Sequence, residues 1–79
     1  MTKSVFTARY RCFLKALIKA RKQANITQTE LAKMLDKPQS YVSKYEHGER
    51  RLDLIETLDI LEALNIKPAD FLESLSSQA

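Results

Sequence analysis

The sequence is poor in the residues that make turns. Its 79 residues include one glycine and two prolines, too few for a set of hairpins, so an all-helical domain is expected. One cysteine excludes an internal disulfide and suits a reducing compartment. The single histidine, His47, has no second His or Cys at ligand spacing, so no metal site is expected. No apolar run reaches the ~20 residues of a membrane span. The opening stretch MTKSVFTARYRC lacks the uninterrupted apolar segment of a secretory signal. The expected location is the cytoplasm, with no membrane association. There is no glycine-rich phosphate loop and no nucleophile paired with a base, so no catalytic residue and no cofactor are expected.

Acidic residues are missing from one end. Lys3, Arg9, Arg11, Lys15, Lys19, Arg21 and Lys22 precede the first acid, Glu30. From Asp53 onward, Asp53, Glu56, Asp59, Glu62, Asp70 and Glu73 stand against Lys67 alone. The net charge is only +3, but this layout suits a polyanion met by one side of the molecule. On charge alone, ordinary solvated helix faces explain it equally well.

What is present reads as helix. Over about Thr7–Ala24, a 100° step per residue puts Phe6, Tyr10, Phe13, Leu14, Leu17 and Ile18 on one stripe, opposite Arg11, Lys15, Lys19 and Lys22. Arg21 projects from the middle of the apolar stripe, and a guanidinium there needs a carboxylate. Cys12 falls on the polar side. Asn25 is a terminator. Thr27-Gln28-Thr29-Glu30 has the spacing of a capping box, and the helix behind it turns Leu31, Ala32 and Leu35 inward. Asp36-Lys37-Pro38 breaks the pattern, with Pro38 suited to a first helical position. A third helix runs from about Pro38 to His47 and stops at Gly48, where a helix favours glycine. Its Tyr45 and Glu46 lie on the same side as Val42, which makes Glu46 the natural partner of Arg21. The opposite side carries Ser40, Ser43, Lys44 and His47, with Gln39 at the tip.

Asp53 reads as the N-cap of a fourth helix with Leu54, Ile55, Leu58 and Leu61 on one face and Ile60 and Leu64 on a narrower edge. Asn65 stops it. Pro68 opens a last short helix with Ala69, Phe71, Leu72 and Leu75. Fraying is expected at 1–5 and 76–79. The expectation is one domain, 1–79, of five helices.

Two helices joined by about four residues, the second with a polar face, make a helix-turn-helix, here at 27–48. The second helix fits the major groove, where each base pair shows a distinct donor and acceptor pattern. Gln39 suits bidentate pairing with adenine, Lys44 suits guanine, and Ser40 and Ser43 take either role. Gln28, at the start of the first helix of the pair, falls near a phosphate. Arg50, Arg51 and Tyr41 are the candidates for phosphates across the groove.

The run Gln28-Thr29-Glu30-Leu31-Ala32 … Pro38-Gln39-Ser40-Tyr41-Val42-Ser43-Lys44-Tyr45-Glu46 … Gly48 resembles the Cro and lambda-repressor-like family of helix-turn-helix regulators. Ala20-Arg21 … Ile26-Thr27 and Glu49-Arg50-Arg51-Leu52-Asp53 are similar to many phage-type and prophage-type members. The resemblance spans about Tyr10–Leu75. It implies a compact five-helix, lambda-repressor-like DNA-binding domain acting as a transcription repressor, commonly as a homodimer on a two-fold operator. By residue it implies phosphate contact at Gln28, base contact at Gln39, Ser40, Ser43 and Lys44, and a structural ion pair of Arg21 with Glu46. Asp36 departs from the family, which usually has Gly in the turn, so a retained but strained turn is expected.

The expected partner is double-stranded DNA, with no small-molecule effector. The candidate surface between copies is Ile60, Leu64, Phe71, Leu72 and Leu75. Two other readings compete. In one the chain is an antitoxin, or another interaction module that neutralises a partner through its acidic half and binds DNA secondarily. In the other it is a restriction-modification controller with the same fold and site.

Overall fold

Thr7 opens the first helix by accepting a hydrogen bond from Tyr10 N at 3.1 Å. The computed structural model describes residues 7–78. Phe6 and the fraying expected at 1–5 and 79 lie outside the described residues. Within them the chain forms α1 (Ala8–Gln23), α2 (Gln28–Leu35), α3 (Gln39–His47), α4 (Leu54–Ala63) and α5 (Pro68–Gln78). The radius of gyration is 12.3 Å.

Each junction has a local cause. Asn25, Asp36 and Asn65 take the left-handed conformation, with φ of 61°, 58° and 60°. These short polar side chains tolerate that region better than other non-glycine residues. Thr27 and Glu30 form the expected capping box, with reciprocal bonds of 2.8 and 3.1 Å. Asp53 and Glu56 form a second box at the start of α4, at 2.9 and 2.7 Å. Gly48 ends α3 at φ 84°. Pro38 stands one position outside α3, as its N-cap, with ψ of 155°. The last helix persists to Gln78, past the point where fraying was expected.

The core is one cluster: Tyr10, Leu14, Leu17, Leu31, Ala32, Tyr41, Val42, Tyr45, Ile60, Leu61, Leu64 and Phe71. α3 is wedged against α2 and α1, while α4 packs on α2 and α5 on α1. α4 faces inward differently from the sequence reading. Leu54 and Ile55 are 70% and 63% exposed, whereas Ile60 and Leu61 are sealed in. The correction extends to the candidate surface between copies. Ile60, Leu64 and Phe71 are buried in the monomer core, and Leu75 packs against that core. Only Leu72, 62% exposed, remains on the surface. No helix among the described residues is long and apolar enough to cross a membrane.

Candidate nucleic-acid interface

The site is built on α3, whose inward side is Tyr41, Val42 and Tyr45. Gln39, Ser40 and Lys44 are exposed, and Ser43 is half-buried. Ser40, Lys44 and His47 follow an i, i+4, i+7 stripe, so they share one outward strip. His47 Nδ1 donates to the Ser43 carbonyl oxygen at 2.8 Å, which lays the imidazole along its own helix.

What holds this helix rigid is a buried ion pair. Arg21 Nε donates to Glu46 Oε2 at 2.7 Å, and Nη2 donates to Oε1 at 3.1 Å. Arg21 Nη1 donates to the Ile26 carbonyl at 2.9 Å, so the guanidinium also ties down the loop ahead of α2. The side chains are only 10% and 5% exposed. The hydrogen bonds to Glu46 outweigh the cost of burial and hold Arg21 above its ordinary pKa. A bidentate guanidinium–carboxylate pair fixes orientation as well as distance.

Gln28 extends the network. Its Nε2 donates to Glu46 Oε1 at 2.8 Å, and its Oε1 accepts from Gln39 Nε2 at 2.8 Å. The amide placed near a phosphate by the sequence is thus engaged inside the protein at both ends. No sequence pattern signals this contact, because the two glutamines meet only once the turn is folded.

On both flanks of α3, in the turn before it and the connector after it, cations lie over aromatic rings. Lys37 Nζ and Arg50 Cζ sit 5.3 and 4.9 Å from the Tyr41 ring centre, and Arg51 Cζ sits 4.3 Å from that of Tyr10. These are cation–π distances. Arg50 Nη2 also pairs with Glu56 Oε2 at 2.6 Å. That bond and the Asp53 N–H hold the Glu56 carboxyl below its usual range. Tyr41 was a candidate for direct phosphate contact. It is buried instead, and burial, reinforced by the Glu56 charge, pushes its phenol up. Its ring is the platform under Lys37 and Arg50. The Tyr10 hydroxyl accepts from Leu52 N at 3.1 Å, which anchors the connector carrying both arginines. The D-x-x-E spacing of Asp53 and Glu56 was a readable signal for the second capping box, but nothing local predicts the ring contacts.

A helix-turn-helix whose second helix is gripped from behind and lined outward with short polar side chains defines a DNA-binding domain. The helix-turn-helix family model matches residues 17–71. The chain is 46% identical to an XRE-family like protein from Pseudomonas syringae pv. tomato str. DC3000, with a TM-score of 0.86 over 91% of this chain and 88% of that one. It shares its fold with the clp gene regulator ClgR from C. glutamicum, at 22% identity and a TM-score of 0.76 over 96% of both chains. Among curated protein sequences none matches. The chain belongs to the Cro/lambda-repressor-like family of helix-turn-helix regulators. It is therefore a DNA-binding transcription regulator of a non-enzymatic family.

Proposed function

We propose that the protein is a repressor that binds a two-fold DNA operator as a dimer, with α3 in the major groove. The observation that carries this reading is the exposed strip of Gln39, Ser40 and Lys44 on a helix locked from behind by Arg21 and Glu46. Gln39 pairs with adenine, Lys44 with guanine, and Ser40 and Ser43 serve either. The start of α2 at Gln28 faces one phosphate strand. Arg50 and Arg51, steadied over Tyr41 and Tyr10, face the other. Ring-stacked cations lose less freedom on binding than free ones, which favours affinity.

A gel-shift series against the DNA upstream of the protein's own gene tests this at moderate salt. A preferred fragment is expected, and equal binding to every fragment defeats the reading. Gln39→Ala should relax discrimination at one or two base pairs by roughly 1–3 kcal/mol, whereas Arg51→Ala should weaken all DNA about equally. If the two variants behave alike, the division between reading and anchoring is wrong.

A further inference from the structure

Arg50 is one of the two arginines assigned above to the phosphates beyond α3, yet it is already engaged inside the protein. Its Nη2 donates to Glu56 Oε2 at 2.6 Å, and its Nη1 donates to the Arg51 carbonyl at 3.2 Å. Its Cζ stands 4.9 Å from the Tyr41 ring centre. Glu56 is fixed as well, because its other oxygen, Oε1, accepts from Asp53 N at 2.9 Å. As N3 of α4 it cannot leave without opening the capping box. A carboxylate held this way takes the place on the guanidinium that a phosphate oxygen would take. The side chains of Arg50 and Glu56 are 41% and 22% exposed, so DNA can reach the pair. The bonds from Arg50 and Asp53 hold the Glu56 carboxyl below its usual range, which keeps it charged at neutral pH.

We infer that Glu56 is an internal competitor of the DNA phosphate for Arg50, and that it limits the strength of binding without touching DNA. A phosphate arriving at Arg50 meets a cation whose charge is offset. It must displace the carboxylate or share the guanidinium with a second anion, and either way less is gained. The fold does not need this charge. A glutamine at N3 completes a capping box as a glutamate does. Asp53 already places a carboxylate at the N-terminus of α4, where the helix dipole favours one. An ion pair as exposed as this one contributes little to stability. The negative charge is therefore the part of Glu56 that acts on binding, through Arg50.

The inference rests on the proposed phosphate role of the connector, and the test separates the two. The full chain is titrated with duplex DNA that lacks an operator, where backbone contacts supply the binding. Affinity is followed over a salt series for wild type, Glu56→Gln, Arg50→Met and the double variant. Asp59→Asn, at an exposed position of the same helix, reports the effect of losing one negative charge alone. Glu56→Gln should tighten binding by roughly 2- to 5-fold more than Asp59→Asn does. Its salt slope should steepen by about 0.9, as for one further phosphate contact. Arg50→Met should weaken wild type only slightly and should abolish the gain of Glu56→Gln. Helical circular dichroism checks that each variant folds. A gain in Glu56→Gln that equals that of Asp59→Asn, or one that survives Arg50→Met, overturns the inference alone. If Arg51→Ala also leaves DNA binding unchanged, the connector holds no phosphate and that part of the proposed function falls with it.

Discussion

The Tyr45 hydroxyl is the least comfortable atom in the core. The residue is fully buried, and its phenol oxygen has no hydrogen-bond partner among the described residues. Burial, followed by the neighbouring Glu46 charge, pushes its pKa far up. A buried hydroxyl without a partner costs about 1–3 kcal/mol. Tyr45→Phe keeps the ring and its edge contact to Tyr41 at 5.8 Å, so it should stabilise the domain by about 1 kcal/mol at pH 7. The pH dependence has a definite sign. The folded pKa lies above the unfolded one near 10, so the neutral phenol is favoured by folding. That contribution is intact below pH ~10 and is lost as pH rises beyond it. Urea midpoints at pH 7 and pH 11 should therefore fall more steeply for wild type than for the variant. A lower midpoint for Tyr45→Phe at pH 7 would mean that the hydroxyl has a partner after all. At this scale the sequence was informative where a residue broke a pattern. Arg21 on an apolar stripe demanded an acid, and the wheel of the third helix offered Glu46. The contacts from Gln39 to Gln28 and from Leu52 to Tyr10 break no pattern, and only the folded chain brings them together.

The helix-turn-helix depends on how its helices end. Asp36 closes α2 at φ 58° and ψ 45°, so the turn survives without the glycine that the family usually places there. Two costs accompany it. The left-handed region is unfavourable for a residue with a Cβ. A carboxylate at a helix C-terminus also opposes the macrodipole. Asp36→Gly removes both and gives up some unfolded-state restriction. The net expectation is a gain of about 1 kcal/mol, or a rise of ~4–8 °C in Tm for a domain of this size. A thermal melt decides it, and an unchanged or lower Tm would show that Asp36 is not strained. The caps of α2 and the Gly48 stop were legible because each has a fixed residue spacing. The inward face of α4 was not. Leu54, Ile55, Leu58, Ile60, Leu61 and Leu64 cover so much of the wheel that several centres give an apolar face. Packing against α2 makes the choice, and it seals Ile60 and Leu61 while leaving Leu54 and Ile55 outside.

At the scale of the molecule, that displaced face bears on assembly. Leu54 and Ile55 follow directly on the connector that carries Arg50 and Arg51 past the end of α3. A contact between copies there would keep two reading helices close, whereas Leu72 lies on α5, which packs on α1 instead. Two side chains cover far less than the ~800 Å² per partner of a stable interface. A dimer resting on them should therefore be weak in solution and form on DNA, where half-sites about 34 Å apart hold the copies together. Tethering of this kind raises the effective concentration of the second copy without any new contact. Sedimentation of the free protein at micromolar concentration should report the 9.1 kDa monomer. Binding to a two-half-site operator should be cooperative. Ile55→Glu should lower the affinity for that operator to the value expected for independent half-sites, with single half-site binding unchanged. Salt should weaken wild type and variant with the same slope per half-site, because the phosphate contacts are untouched. A stable dimer in free solution, indifferent to a charge at position 55, would place the contact between copies elsewhere on the molecule.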